Sequence, residues 1–231
     1  LNTVDIHENG QKKHSEACGD DIYKVSYLPT AAYTHALDRA KKGSNQERYK
    51  SKILFIGSMY LERYAFVNSI KDVFNVDGGL VVGPGHGDSD KVLELGDRRI
   101  NEKLNYNEYA KYLWAGETFV DKPRNEMVTY PYGKQNSHGI RATNLSPRIY
   151  EALYCGCTII TDSSRACIND FDTILRDLIS IYSSPMEIRI MPRHQLCGES
   201  QDIRDHIKEE HSYINRAKQI LEIINRDSRI K

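Results

Sequence analysis

Three short apolar runs, each closing on a glycine or an acid, constrain this chain more than any other feature. They are ILFIG at 53–57, LVVG at 80–83 and TIITD at 158–162. A continuous apolar run of this length is the pattern of a strand buried on both faces, as in a parallel sheet. ETFVD at 117–121 is a fourth candidate, and Tyr23 to Leu28 alternates weakly, ahead of Pro29.

Helical patterns fall between the runs. Phe66, Val67, Ile70, Val73 and Phe74 fit one face of a helix over 61–74, and 106–115 reads as another. Ser146-Pro147 opens a third, with serine as N-cap and proline at the first helical position. Its inner face is Ile149, Ala152, Leu153 and Gly156, the small residues allowing close packing on a sheet. Further helices are expected at 169–182 and 185–193. A last one at 201–226 carries Ile203, Ile207, Ile214, Ala217, Leu221 and Ile224 on one stripe. Strands alternating with helices imply an α/β fold, a parallel sheet with helices on both faces.

Other stretches lack such a period. Residues 1–20 are polar, 38–52 read as a charged linker, and 122–145 form a long loop rich in Pro, Gly and Asn. The chain begins at Leu1, which reads as a fragment or trimmed product.

Composition excludes some classes. Lys plus Arg and Asp plus Glu are 32 each, so the net charge is zero and a non-specific nucleic-acid binder is not expected. No apolar run reaches the ~20 residues of a membrane span. Five scattered cysteines (18, 155, 157, 167 and 197) do not form a disulfide framework and point to a reducing, cytoplasmic setting. Cys155-Gly-Cys157 and His194-x-x-Cys197 lack second pairs, so they read as ordinary small residues and no metal is expected.

In a parallel sheet, ligands bind beyond the carboxyl ends of the strands. That edge holds Gly57-Ser58, Gly83-Pro84-Gly85, the segment after Asp121, and the stretch 139–151. A glycine after a buried strand lets a phosphate approach the backbone, and the next helix presents free N–H groups. Arg63 falls in that helix's first turn, where positive charge is disfavoured unless an anion is present. Arg148 and Glu151, three apart, share a helix face, so the pair reads either as a surface ion pair or as a phosphate and ribose contact. His86 and His138 lie in edge loops, where each is either solvated or a substrate contact. Tyr130 and Tyr132 flank Pro131 and offer stacking surfaces, and His211 reads as a core or interface residue.

The segments FIGSMYLERYAFV (55–67), SPRIYEALYCGCTIITD (146–162) and HSYINRAKQIL (211–221) resemble the glycosyl-transferase segment of CgeB-like spore-maturation proteins. VSYLPTAAYTHA (25–36) resembles that family's passage out of its N-terminal domain, and the likeness covers most of 22–225. These proteins are similar to the C-terminal domain of retaining glycosyltransferases of the GT-B architecture, the group 1 glycosyl transferases. The resemblance implies a Rossmann-like domain at 52–231, and a remnant of an N-terminal domain with linker at 1–51. It implies a nucleoside-diphosphate sugar as donor, an unidentified acceptor, no metal, and a missing N-terminal domain or partner chain. Gly57, Ser58 and Arg63 would lie at the diphosphate, and Ser146 and Arg148 also count among the donor-binding residues, Arg148 beside Glu151. Glu151 would hold the ribose, and Gly139 and Ile140 would lie near the donor sugar. Related transferases often carry a second glutamate eight residues before the ribose glutamate; here Thr143 stands there. The alternatives are a non-catalytic nucleotide-binding module, which Thr143 and the truncated front favour, and a nucleotide-sugar epimerase, which uses the same two-domain architecture; fold alone does not separate them.

Overall fold

The computed structural model describes residues 30–59, 61–76, 78–85, 95–123, 129–130, 133–134, 145–162, 173–189 and 201–228. The expected strand at 23–28, and His86, Thr143, Gly139 and Ile140, lie outside them.

The apolar runs form the centre of a six-stranded sheet. β1 (Ser51–Ile56), β2 (Gly79–Val82), β3 (Arg99–Ile100) and β4 (Gly116–Asp121) come first in the chain. The pair β5 (Thr129–Tyr130) and β6 (Gly133–Lys134) makes a separate antiparallel ladder. β7 (Thr158–Asp162) and β8 (Ile179–Tyr182) complete the main sheet. Its order is β3-β2-β1-β4-β7-β8, and every neighbouring pair is parallel. The chain winds outward through its first three strands, returns to lay β4 beside β1, and continues the other way. This is the doubly wound Rossmann-like order, with its switch point between β1 and β4.

The pleat sends alternate side chains of each strand to opposite faces. Leu54, Ile56, Leu80, Val82, Phe119 and Ile159 face one helical layer. That layer holds α1 (Thr34–Lys41), α4 (Tyr106–Ala115), α5 (Pro147–Cys155) and α7 (Gln201–Glu210). Ile53, Phe55, Val81, Val120 and Ile160 face the other layer. There α2 (Leu61–Ser69), α3 (Lys71–Val76) and the 3-10 turn Pro185–Arg189 pack. Burial on both faces explains why these strands read as unbroken apolar runs rather than as alternation.

Several elements differ from expectation. The helix expected over 61–74 is two helices, α2 and α3, with Ile70 between them. Ser69 donates its hydroxyl to the Phe66 carbonyl at 2.7 Å, a local bond that competes with the helical ladder. The expected apolar face survives the break, since Phe66, Val67, Ile70, Val73 and Phe74 are all buried. Within 38–52 the structure has the end of α1, a 3-10 turn at Glu47–Tyr49 and the start of β1. Leu37 and Ala40 bury α1 against α4 and α5, and Trp114 donates its indole N–H to the Leu37 carbonyl at 2.8 Å.

At 169–182 the described residues hold one helical turn, α6 (Thr173–Arg176), and then the edge strand β8. Ile179–Tyr182 pairs with β7 as a strand, which its β-branched and aromatic residues favour, so the helix expected over 169–182 does not extend through it. The turn at Pro185–Arg189 is the described part of 185–193.

The last helix is also two, α7 and α8 (Tyr213–Ser228). Ala32 lies between them, its N–H reaching the His211 carbonyl at 2.8 Å and its carbonyl accepting from Tyr213 N–H at 3.1 Å. Ile203 and Ile207 are therefore core, whereas Ile214, Ala217, Leu221 and Ile224 are exposed. Gly156 caps α5 with φ 96° and has no atom within 4 Å of where a Cβ would stand. It ends the helix rather than bringing it close to the sheet.

Candidate functional site

Four chain segments meet at the carboxyl edge of the switch point, where a doubly wound sheet has its ligand crevice. β1 ends in Gly57-Ser58 and β4 ends in Asp121-Lys122. The turn after β2 closes on β1: Gly57 N–H reaches the Val82 carbonyl at 2.9 Å, and Met59 N–H the Pro84 carbonyl at 2.9 Å. Gly83 approaches so closely that a Cβ built on it would stand 2.2 Å from the Gly57 carbonyl oxygen. The fourth segment is the start of α5.

Two guanidinium groups meet over Gly57. Arg63, only 7% exposed, donates from Nη1 to the Ser58 carbonyl at 3.2 Å and from Nη2 to the Lys122 carbonyl at 3.4 Å. It spans the crevice from β1 to β4. Arg148 arrives from the first turn of α5 and donates from Nη1 to the Ile56 carbonyl at 3.1 Å. An added Cβ on Gly57 would lie 3.0 Å from Arg63 Nη1 and 3.4 Å from Arg148 Nη1. The glycine thus leaves the space in which both side chains gather. Two like charges brought together are electrostatically costly. An anion between them reverses the sign, at about 4 kcal/mol per contact near 4 Å before desolvation is subtracted.

Ser146 holds the N-cap position of α5, with ψ 154°, but its side chain makes no capping bond. Its Oγ is buried without a hydrogen-bond partner, in a structure where a buried hydroxyl left so costs roughly 1–3 kcal/mol. The expected serine cap is corrected: Pro147 at the first helical position fixes the entry, and the hydroxyl remains unspent.

Glu151 lies one turn into α5 and is buried. Tyr106 donates to its Oε1 at 2.8 Å and Tyr109 to its Oε2 at 2.9 Å. The backbone N–H of Tyr33 also hydrogen-bonds to it. Arg148 and Glu151 share a helix face as their spacing requires, yet they take different partners. Neither tyrosine was singled out from sequence, although their spacing of three places both on one face of α4.

Burial raises the Glu151 carboxyl above its ordinary range, while the tyrosine bonds, Tyr33 N–H and the Arg148 charge pull it down. The same burial, with the carboxylate beside them, keeps both phenols protonated as donors. A folded-state value above the unfolded one means that the folded chain binds the proton more tightly. The stability this provides is complete below the unfolded value and is lost as pH rises through the folded value. Glu151→Gln cannot ionise. The melting temperature of the wild type relative to this variant should therefore fall as pH is raised from about 4 towards neutrality. Parallel melting curves across that range would count against a carboxyl raised by burial.

Lys122 and Asp162 complete the rim. Lys122 Nζ lies 2.6 Å from Asp162 Oδ2, joining the ends of β4 and β7, with both side chains less than one-fifth exposed. Below them Thr161 donates to Asp121 Oδ2 at 3.1 Å. Sequence reasoning pointed to the segment after Asp121 without naming Lys122. The contact with Asp162 comes from residues 40 apart that meet only through strand pairing.

Other candidates lie away from this crevice or outside the described residues. His211 stacks on Tyr150 at 4.9 Å and lies 3.2 Å from Arg216 Nη2, at the junction of α7 and α8. Cys155 and Cys157 are buried free thiols, and burial pushes Cys157 up to about 12. They pack as core residues. Among the described residues no group of three or more His, Cys, Asp or Glu is arranged to hold a metal ion. Gly139, Ile140, His138 and Tyr132 fall outside the described residues, as does the side chain of Tyr130.

No family model matches the chain, and no curated protein matches it. Among solved structures it is similar to AviGT4, a glycosyltransferase involved in avilamycin A biosynthesis, with a TM-score of 0.57 and 16% identity. The match covers 88% of this chain and 57% of AviGT4. The two share a fold. This chain therefore spans little more than half the length of the structure it matches. No helix among the described residues is long and apolar enough to cross a membrane.

Proposed function

We propose that this chain is the donor-binding half of a glycosyltransferase of GT-B architecture, and that it takes a nucleoside-diphosphate sugar at the β1–β4 switch point. The carrying observation is the meeting of Arg63 and Arg148 over Gly57, where the sheet topology places a ligand crevice. The unspent Ser146 hydroxyl at the start of α5 supports an acceptor of hydrogen bonds at the same place. AviGT4, of like fold, is a glycosyltransferase, which favours a nucleotide-sugar over other phosphate ligands.

In this reading the diphosphate lies over Gly57 and Ser58. As the sugar–phosphate bond breaks, charge gathers on the leaving diphosphate. Arg63, Arg148 and the N–H groups at the start of α5 stabilise it electrostatically, without metal. Glu151, held by Tyr106 and Tyr109, has lone-pair capacity left on a carboxylate for a ribose hydroxyl. Gly139 and Ile140 belong to the sugar side of the proposal. The acceptor and any base belong to a second domain or partner.

A thermal-shift screen against nucleoside diphosphates and their sugar conjugates tests the reading. A ligand at 100 times its dissociation constant stabilises by about 2.7 kcal/mol, which moves the melting temperature by several degrees. No shift with any of them at millimolar concentration would overturn the proposal. Donor hydrolysis by the full-length protein would favour a transferase over a non-catalytic module, and interconversion of free nucleotide-sugars would favour an epimerase.

A further inference from the structure

We propose that Lys122 is a third cation of the anion site, held ready for a diphosphate by Asp162. This rests on reading the switch-point crevice as a diphosphate site.

Lys122 is the first residue beyond β4, on the opposite side of the switch point from Gly57. Its carbonyl accepts from Arg63 Nη2, so its backbone and the Arg63 guanidinium belong to one cluster. Its ammonium bonds Asp162 at 2.6 Å and stands 5.7 Å from the centre of the Phe66 ring, on the helix that carries Arg63.

The charge count calls for it. A nucleoside-diphosphate sugar carries about two negative charges, and the nucleoside diphosphate released from it about three near neutral pH, so a further cation is called for as the bond breaks. Arg63 and Arg148 supply two positive charges, and both are tethered to backbone carbonyls. An ammonium has three donors, and one suffices for Asp162. The remaining donors, on a flexible four-carbon stem, can follow a phosphate oxygen as charge shifts between ground state and leaving group. Asp162 neutralises Lys122 while the site is empty. It thereby limits repulsion among three cations in one crevice.

The bland alternative is a clasp between the ends of β4 and β7. A largely buried ion pair of this kind is weak support for stability in itself, since desolvation offsets much of its attraction.

Calorimetry at low ionic strength with inorganic pyrophosphate and with nucleoside diphosphates separates the two. Lys122→Gln should lose about tenfold in affinity for both probes, the loss of one charge-assisted contact. Lys122→Arg should stay within about threefold of wild type because the charge remains. Asp162→Asn removes a negative charge beside the anion and should bind about two- to fivefold more tightly. If Lys122→Gln does not fold alone, the comparison is made within Asp162→Asn, where adding Lys122→Gln should cancel that gain and cost about tenfold in affinity. The proposal is overturned if Lys122→Gln stays within twofold of wild type while Arg63→Ala loses affinity, or if Asp162→Asn weakens binding. Failure of the wild type to bind either probe would instead remove the underlying donor-site reading.

Discussion

Gly83→Ala is expected to destabilise the chain by roughly 3 kcal/mol or more and to disorganise the crevice with it. Gly83 has φ 138°, outside the range that a residue with a Cβ adopts comfortably. Backbone strain of this kind costs about 1–3 kcal/mol. A second effect adds to it. The new Cβ would stand 2.2 Å from the Gly57 carbonyl oxygen and 2.7 Å from the Gly57 carbonyl carbon. Both are backbone atoms, so no side chain can swing aside, and one of the two turns must move. Because β1 and β2 pair from Ile53–Gly79 to Ile56–Val82, the displacement acts on the central ladder of the sheet. Gly156→Ala is the control. It also has positive φ, 96°, but open space around the Cβ, so it should cost only the conformational part, about 1 kcal/mol. Urea unfolding of the two variants reads the difference. If Gly83→Ala is no worse than Gly156→Ala, the close approach of the two turns is not a feature of the folded chain.

Arg63→Ala should have the largest effect on ligand binding, a loss of about 1–3 kcal/mol for a nucleoside diphosphate, or roughly five- to 150-fold. Arg63 is buried, faces Gly57 and reaches both sides of the switch point, so no neighbouring cation can replace its geometry. Arg63→Lys should recover only part of the loss, because an ammonium cannot donate to Ser58, Lys122 and a phosphate in one planar fork. Arg148→Ala should weaken binding in the same direction. The double variant should fall short of the sum, since the two guanidiniums share one anion. Calorimetry on variants whose circular dichroism matches the wild type gives the numbers. Unchanged affinity in Arg63→Ala would take the residue out of the site.

The legible part of the fold was the part where local pattern and tertiary environment agree. β1, β2 and β7 read correctly because burial on both faces demands near-unbroken apolar residues, β4 was marked by the shorter apolar centre Phe119-Val120, and α4 matched its expected range. Misreadings came where a long-range contact overrode local preference. The helix over 201–226 is interrupted because Ala32, some 180 residues earlier, pairs at its middle, whereas the Ile-Ser-Ile-Tyr of β8 already suits a strand and the helix expected there ran past it. β3, two residues long, carries no periodic signal at all.

The site divides in the same way. Arg63, Arg148, Gly57 and Ser146 could be named as candidates because strand ends and helix starts mark the ligand edge of a parallel sheet. Tyr106, Tyr109 and the Lys122–Asp162 pair were not, since their partners come from other segments. Sequence alone determined that this chain forms a parallel α/β sheet and which residues line its carboxyl edge, because strand and helix periods are local properties. Only the tertiary structure decided that β4 returns to lie beside β1. That return brings Arg63 to the Lys122 carbonyl and sets it with Arg148 over Gly57, since charges meet where strand order puts them and not where the chain lists them.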